Sequence, residues 1–337
     1  MFMKTTSLLL LFLFLVACQH HPANLIKVTA DMETDAVDAD GDAADDPALW
    51  VHPTDPEQSL VLGTHKHMGL YSYDLKGNMK QFLRVGRLNN VDVRQQVLLR
   101  DTLVDVVAAS NRTNNAITLF YVRPEGIIKP WSRATVEVSA LDEVYGFCLG
   151  VVDQDLIFVV TGQSGDAEIY RFVEDNQTVI RTRTLHIPSK SEGCVVDDET
   201  GDIYIAEEAA GIWRFNYQDE HTSELIIAVD NKQLVPDVEG LALLRHQGEK
   251  LLVVSSQGNS QFPVYRLSDN VYIKSVVITG SEEHDGVTGT DGIAVNQSLS
   301  TTNYPAGVFV IQDDINTQPD DAQNFKLVNL QKILDQL

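Results

Sequence analysis

The chain has 337 residues, 44% of them apolar, and a formal net charge of −23 at pH 7. This length suits one large all-β domain or two ordinary domains. The negative charge argues against a nucleic-acid partner and against unaided binding of anions, but it permits binding of cations, especially calcium, which prefers hard oxygen ligands.

The first predicted element is an export signal. Lys4 precedes an unbroken apolar run, Leu8–Val16, which is short for a membrane span and typical of a signal peptide. The Ala17-Cys18 pair that follows is similar to the lipobox of bacterial lipoproteins. We therefore expect a signal peptide over residues 1–17, lipidation of Cys18, a linker over 18–24 and attachment to the outer membrane, with simple secretion as the alternative.

Six segments of similar pattern follow within residues 25–337. Each has a polar opening, an apolar strand, a second and more apolar strand, a corner rich in small polar residues, and an aromatic strand. The openings are DDPALWV at 45, NNVDVR at 89, VYGFCL at 144, SEGCVV at 191, VEGLAL at 238 and TDGIAV at 290. A spacing of roughly 44 to 55 residues is typical of propeller blades. The sequence therefore predicts an all-β fold, a six-bladed β-propeller.

The two ends of the chain are expected to meet. The last repeat ends at FKLVNL with little chain left for a fourth strand, and the segment LIKVTA at 25–30 belongs to no repeat. We predict that this N-terminal strand completes the last blade and closes the ring, which removes exposed sheet edges. Residues 331–337 are expected to form a short helix.

A polar residue stands near the head of each first strand. In chain order these residues are Asp46, Asn90, Tyr145, Glu192, Glu239 and Asp291. First strands line the central channel of a propeller, so the six groups should converge on one mouth. Crowded carboxylates repel one another at low dielectric unless cations lie between them. The pattern predicts a metal site at this mouth, although each acid taken singly has a solvated loop position as its alternative.

Ten short blocks resemble the β-propeller phytases of bacteria, and they occur in the order of that family. The blocks are GDAADDPALWVHP, GLYSYDLKG, LNNVDVR, VVAASNR, EVYGF, VTG, YIAEE, SSQGNS, TDGI and QNFKLV. The resemblance runs from about residue 28 to the end. It implies calcium-dependent hydrolysis of phytate, myo-inositol hexakisphosphate, by a metal-bridged water.

The resemblance also implies the roles of individual residues, by matched position. The catalytic calcium cage would comprise Asp45, Tyr145, Glu192, Glu208, Asp237, Glu239, Gln257 and Asp291, with Asp46 beside it. A second calcium group near the ring closure would comprise Glu33, Asp285, Asp313 and Asn316. Lys66 and Arg112 would hold substrate phosphates, with Asn89 and Asn90 at the rim.

Three positions depart from the family, and two of them replace its cationic contacts. Gln163 and Ser164 follow VTG, where the family commonly has lysine and an acid, and His67 stands in place of a lysine beside Lys66. We keep Gln163 and His67 as candidate substrate-binding residues, because a protonated histidine can still contact phosphate. Lys190, near Glu192, is a candidate replacement cation.

The two remaining cysteines, Cys148 and Cys194, fall on the first strands of adjacent blades. We expect them to be small buried hydrophobic residues, with a disulfide between them as the alternative.

Other functions remain open at this stage. A propeller with a central calcium can also hydrolyse lactones or esters, and a surface lipoprotein can bind calcium without being an enzyme. The favoured partner is phytate as its calcium complex, bound by a monomer that touches the membrane only through its lipid anchor.

Overall fold

The computed structural model describes residues 24–138, 141–173, 178–318 and 320–337. The predicted signal peptide and Cys18 lie outside these ranges. None of the helices in the described part of the chain is both long enough and apolar enough to cross a membrane.

The described residues form a six-bladed β-propeller. The N-terminal strands and the first two blades are β1 (Leu25–Val28), β2 (Met32–Glu33), β3 (Ala44–Trp50), β4 (Leu60–His65), β5 (Gly69–Asp74), β6 (Met79–Arg84), β7 (Leu88–Leu99), β8 (Thr102–Asn111), β9 (Ala116–Val122) and β10 (Ile128–Glu137). The third and fourth blades are β11 (Val144–Val152), β12 (Asp155–Gly162), β13 (Ala167–Val173), β14 (Thr178–Leu185), β15 (Ser191–Asp197), β16 (Asp202–Glu207), β17 (Gly211–Asn216) and β18 (Ser223–Ala228).

The last two blades complete the ring. They are built from β19 (Val238–His246), β20 (Glu249–Ser256), β21 (Phe262–Arg266), β22 (Val271–Ile278), β23 (Ile293–Asn296), β24 (Val308–Asp313) and β25 (Asn324–Asn329). Short 3-10 turns occur at Pro56–Gln58 and Gln257–Asn259. The predicted terminal helix is confirmed as α1 (Gln331–Leu334).

Alternation along the second strands explains how the blades pack. In β12, Leu156 and Phe158 point into the apolar cluster shared with the second blade, while Ile157 and Val159 point into the cluster shared with the fourth. Successive strand residues face opposite sides of a sheet, so a strand with a blade on each side is apolar at every position. Six such clusters separate the six blades.

The N-terminal chain closes the ring, but the predicted pairing of residues 25–30 with the last blade is wrong. Strand β1 pairs in parallel with β22 and becomes a fifth strand of the fifth blade. Ile26 and Val28 bury their side chains between the fifth and sixth blades there. It is β2 that pairs with β25, through Met32 with Leu327 and Glu33 with Lys326. Residues 25–33 therefore tie two blades together.

The expectation of two unpaired buried thiols is also wrong. Cys148 of β11 and Cys194 of β15 form a disulfide between the third and fourth blades. Their Cα atoms lie 5.6 Å apart, which is within the range that a disulfide can span. The bridge forms because neighbouring inner strands come close together in the ring.

Candidate metal centre

Several of the predicted site residues occupy β-bulges at the heads of the inner strands. In five blades the register between first and second strands shifts at two adjacent residues, which are Asp45-Asp46, Asn89-Asn90, Tyr145-Gly146, Glu192-Gly193 and Glu239-Gly240. A bulge turns a side chain away from the regular alternation of the strand. The same local device in these five blades thus aims polar side chains at one mouth.

Glycines after the acids let neighbouring inner strands approach each other. A Cβ atom on Gly193 would lie 2.1 Å from the carbonyl oxygen of Glu239. At Gly240 it would lie 2.8 Å from the carbonyl oxygen of Asp291, to which the Gly240 N–H donates a 2.8 Å hydrogen bond. The strands meet closely only because these side chains are absent.

Three carboxylates from two blades form the centre of the mouth. Glu192, Glu208 and Glu239 each offer an oxygen that lies within 4.8 Å of the other two, and all three are buried. Burial, and then the charge of Asp291, raises the pKa of Glu192 to about 7. Burial and the charge of Glu192 also raise the pKa of Glu239 well above its usual value.

Asp45 lies beside these acids and is completely buried. Neither of its carboxylate oxygens has a hydrogen-bond partner, and the ammonium of Lys66 lies 3.6 Å from its Oδ1. Lys66 is itself bound at 2.6 Å to both Asp291 and Asp42. Burial raises the pKa of Asp45 well above its usual value, although Lys66 opposes the shift.

This donor set fits a divalent cation. Unpartnered carboxylate oxygens are costly when buried, and both Asp45 oxygens and Glu239 Oε2 are of this kind. Several carboxylates converge, and carboxylate oxygens are the ligands that calcium prefers. A cation among them would provide the partners that these oxygens lack.

Tyr145 lies beside the acids and beside two further cations, Arg112 and Lys190, and the Lys190 ammonium is 4.6 Å from the centre of its ring. Burial and the charge of Glu192 raise the pKa of its phenol far above the usual value, so the hydroxyl keeps its proton. The Arg112 guanidinium lies 5.6 Å from the centre of the Tyr145 ring and donates to Glu143 at 2.9 Å. Asn89 joins the two sides, since it donates to Glu192 at 2.7 Å and accepts from Arg112 at 3.4 Å.

Other predicted members of the cage lie around this centre. Gln257 donates its amide to Asp291 at 2.6 Å. Asp46 accepts a 3.0 Å hydrogen bond from the Val91 N–H and so joins the first two blades. Asp237 is exposed, and its charge contributes to the raised pKa of Glu208, after burial, which is the main cause.

The remaining predicted substrate residues have different surroundings. Asn90 is buried and accepts from the Asn89 amide at 3.0 Å. His67 is exposed, with its ring 5.6 Å from that of His65. Gln163 lies in the turn after β12, where its N–H donates to the Glu143 carbonyl oxygen at 3.1 Å.

The second predicted group comes together at the ring closure, around a lysine. The fully buried ammonium of Lys326 lies 2.8 Å from Glu33 and 3.3 Å from Asp313, and it donates to Asp285. Burial raises the pKa of Asp313 to about 6. The chain thus supplies a cation of its own to these three acids.

The fourth predicted member, Asn316, lies next to this lysine cluster. Its Oδ1 atom is buried without a partner, as is Oδ1 of Asn324. Both residues line a surface cavity with Glu33 and Asp321. These unpartnered oxygens fit a hard cation as well.

Sequence reasoning missed Asn324, Glu143 and Lys326 as members of the two groups. Asn324 and Lys326 lie within the QNFKLV block, and their alternation along β25 was a signal that both share one face of the strand. Glu143 directly precedes the polar opening of its blade, but the repeat pattern alone gives no reason to select it.

The chain is similar in sequence and in fold to known proteins. The family model described as Phytase matches residues 1–337. The chain is 37% identical over 355 residues to the 3-phytase of Bacillus subtilis (strain 168), with 100% of this chain and 93% of that protein covered. An auxiliary nutrient binding protein from Bacteroides thetaiotaomicron VPI-5482 shares the fold alone, with a TM-score of 0.56 at 11% identity over 86% of this chain and 69% of that chain.

Proposed function

Because the chain belongs to the phytase family and is a phosphomonoester hydrolase, we propose that it releases phosphate from phytate in a calcium-dependent reaction. The observation that carries this proposal is the convergence of buried, unpartnered carboxylates from separate blades on one mouth, beside Arg112 and Lys66. The name of the Bacillus relative, 3-phytase, supports the same substrate.

The acids of the mouth are the proposed calcium ligands. Asp45, Glu192, Glu208, Glu239 and Asp291 supply carboxylate oxygens, with Tyr145, Asp237, Asp46 and Gln257 beside them. Bound calcium would reverse the local field, accept phosphate oxygens and lower the pKa of a water molecule. The group of Glu33, Asp285, Asp313 and Asn316 is the proposed stabilising site at the ring closure.

Arg112 and Lys66 are proposed to hold the phosphate that is transferred. Glu143 and Asn89 fix the position of the Arg112 guanidinium. A guanidinium can bind a phosphate through two parallel hydrogen bonds. Asp42 and Asp291 hold Lys66, which acts as a point charge near the acids. Fixed cations at this position stabilise the charge that develops on the phosphoryl group.

An assay of phosphate release tests the proposed function. Purified protein should release phosphate from phytate when calcium is present, and a chelator should abolish the release and lower the melting temperature. A lactone substrate serves as the comparison. Turnover of the lactone without phosphate release, or full activity of a chelated protein, would contradict the proposal.

Location is a separate proposal, supported by the sequence. We propose that residues 1–17 are removed, that Cys18 is lipidated and that the protein acts as a monomer at the outer membrane. Mass spectrometry of the membrane fraction should find an acylated Cys18, and the Cys18→Ser variant should leave that fraction. An unmodified mature N-terminus would contradict the anchor, and a dimer mass by light scattering would contradict the monomer.

A further inference from the structure

We propose that the buried hydroxyl groups of Ser110 and Thr161 are positioning groups for the calcium site at the mouth. They hold Asn90, Tyr145 and Glu192, which come from three successive blades, in fixed positions relative to one another. This inference rests on the proposed function, because Glu192 is a proposed calcium ligand and Tyr145 lies beside the calcium-binding acids.

Each of the two hydroxyls lies on a second strand, opposite a β-bulge of the first strand. Ser110 of β8 faces the bulge of β7 and accepts a 3.2 Å hydrogen bond from the Asn90 N–H. Thr161 of β12 faces the bulge of β11 and accepts a 2.9 Å hydrogen bond from the Gly146 N–H. A bulge interrupts the regular ladder of the sheet, so each hydroxyl supplies an acceptor that the neighbouring strand does not.

The same two hydroxyls also bond to the inner strand of the next blade. Ser110 donates to the Tyr145 carbonyl oxygen at 2.5 Å, and Thr161 donates to the Ser191 carbonyl oxygen at 2.5 Å. Ser191 directly precedes Glu192. Each hydroxyl therefore joins the bulge of its own blade to the head of the next inner strand.

One peptide group is held from both sides in this way. The carbonyl of Tyr145 and the N–H of Gly146 belong to the same peptide group, and they bond to Ser110 and Thr161 respectively. The packing is tight here as well, since a Cβ atom on Gly146 would overlap the Glu192 backbone. Rotation of this peptide would break a hydrogen bond, so the backbone that carries the Tyr145 side chain is fixed beside Glu192.

The arrangement recurs between the fifth and sixth blades. Ser255 faces the bulge of β19 and donates at 2.7 Å to the carbonyl oxygen of Thr290, which directly precedes Asp291. The matching residue of the fourth blade is Ala206, which has no hydroxyl. Recurrence directly before a second carboxylate of the mouth supports a positioning role for these hydroxyls.

Ser110 and Thr161 act on the site through the residues that they hold. Both side chains are fully buried, and each hydroxyl gives its one hydrogen to a carbonyl oxygen. Groups that orient metal ligands affect metal affinity by about 10- to 100-fold. Loss of either hydroxyl should therefore weaken calcium binding more than loss of an equally buried hydroxyl far from the mouth.

The test compares serines with the same burial and the same number of hydrogen bonds. Ser110→Ala removes one of the proposed positioning groups. Ser59→Ala is the matched control at the opposite end of the first blade, where the buried Ser59 hydroxyl accepts from the His52 N–H and donates to the Pro56 carbonyl oxygen. Thr161→Val replaces the second hydroxyl with a methyl group, and Thr161→Ser keeps the hydroxyl.

Calorimetry of calcium binding to the chelated proteins, without substrate, provides the measurement. Ser110→Ala and Thr161→Val should weaken one class of calcium sites by about tenfold and leave the other calcium sites unchanged. Ser59→Ala should lower thermal stability without changing the calcium Kd, and Thr161→Ser should restore the wild-type Kd. Ser110→Ala, the smaller change, decides the question if Thr161→Val does not fold.

The outcomes separate this inference from the proposed function. A wild-type protein that binds no calcium would overturn both. Calcium binding by the wild type with unchanged Kd values in Ser110→Ala and Thr161→Val would overturn the positioning role alone. An equal loss of calcium affinity in Ser59→Ala would also overturn it, because the effect would then be general destabilisation of the fold.

Discussion

The acidic residues at the mouth are buried close together, so their negative charges repel one another. Asp45 is fully buried with no hydrogen bond to either oxygen, and its neighbours Glu192 and Asp291 carry the same charge and raise its pKa further. One lysine, Lys66, lies within 4 Å of Asp45 and Asp291. A single ammonium does not balance this group of acids, and divalent cations would supply the missing charge.

Substitution of Arg112 should separate an effect on catalysis from an effect on folding. Arg112→Ala removes a fixed guanidinium from the phosphate position but leaves the acids in place, so turnover of phytate should fall by about 10²- to 10³-fold. The calcium-induced rise in melting temperature should persist. Arg266→Ala, which removes an exposed ion pair with Asp269 on β21, is the control and should change neither quantity.

A different outcome would change the role of Arg112. If Arg112→Ala also lost its calcium-induced stabilisation, the contacts of Arg112 with Glu143 and Asn89 would be structural, and its proposed role in phosphate binding would be wrong.

Glu192 should make calcium binding depend on pH. Burial, with the charge of Asp291, raises its pKa in the folded protein from 4.5 to about 7. Between these values the folded state holds a proton that the unfolded state has lost, so the chelated protein should become less stable as pH rises through this interval. Calcium needs the ionised form, so its apparent affinity should fall about tenfold per pH unit below 7 for one displaced proton.

Thermal unfolding between pH 5 and pH 8, with and without calcium, measures both effects. The calcium-induced shift in melting temperature should be small at pH 5 and large at pH 8. A shift of equal size at every pH would contradict the assignment of Glu192 as a ligand.

At the scale of elements, the inner strands determine where the site forms. Their first residues were predictable because the apolar pattern repeats six times, and each repeat carries a polar group at the same place. The bulges that aim these groups were not predictable, since a register shift depends on the paired strand. The partner of β1 was missed for a similar reason, because LIKV has a strand pattern that suits either neighbouring blade.

The disulfide marks a further limit of the sequence. Cys148 and Cys194 were correctly assigned to adjacent inner strands, but sequence does not give the distance between those strands. That distance depends on close contacts such as the one between Gly146 and the Glu192 backbone. The cluster of acids around Lys326 at the ring closure could not be predicted from the sequence either, because Glu33 and Lys326 become neighbours only when the two ends of the chain pair.

Gly193→Ala should test this close packing. The added methyl group meets the Glu239 backbone at 2.1 Å, so the fourth and fifth blades must separate, which should cost about 1–3 kcal/mol of the free energy of unfolding. Calcium affinity should fall too, since Glu192 and Glu239 move apart. Gly280→Ala, whose Cβ would find its nearest atom at 3.5 Å, is the control; equal stability of the two variants would contradict this view of the ring.

For the whole molecule, closure of the ring joins residues that are far apart in sequence. Strand β2 carries Glu33 to the last blade, where Lys326 also contacts Asp285 and Asp313. The N-terminal chain, the last blade and the loop before it therefore meet at one buried ammonium. Loss of that charge should lower the stability of the entire propeller.

Lys326→Met should lower the free energy of unfolding by about 3–5 kcal/mol in the presence of a chelator, because three acids lose a buried partner. Added calcium should recover part of this loss. Lys332→Met is the control, since Lys332 forms a partly exposed pair with Asp31 worth about 0–1 kcal/mol. Denaturant unfolding of both variants provides the measurement. An equal, small loss of free energy of unfolding in the two variants would show that Lys326 does not stabilise the ring closure.

The most direct test of the account is to locate calcium in the protein. Crystals of protein that releases phosphate from phytate, grown with calcium, should give anomalous scattering peaks at the mouth, bounded by oxygens of Asp45, Glu192, Glu208 and Glu239. A calcium-loaded crystal of active protein with no peak among these carboxylates would contradict the central claim.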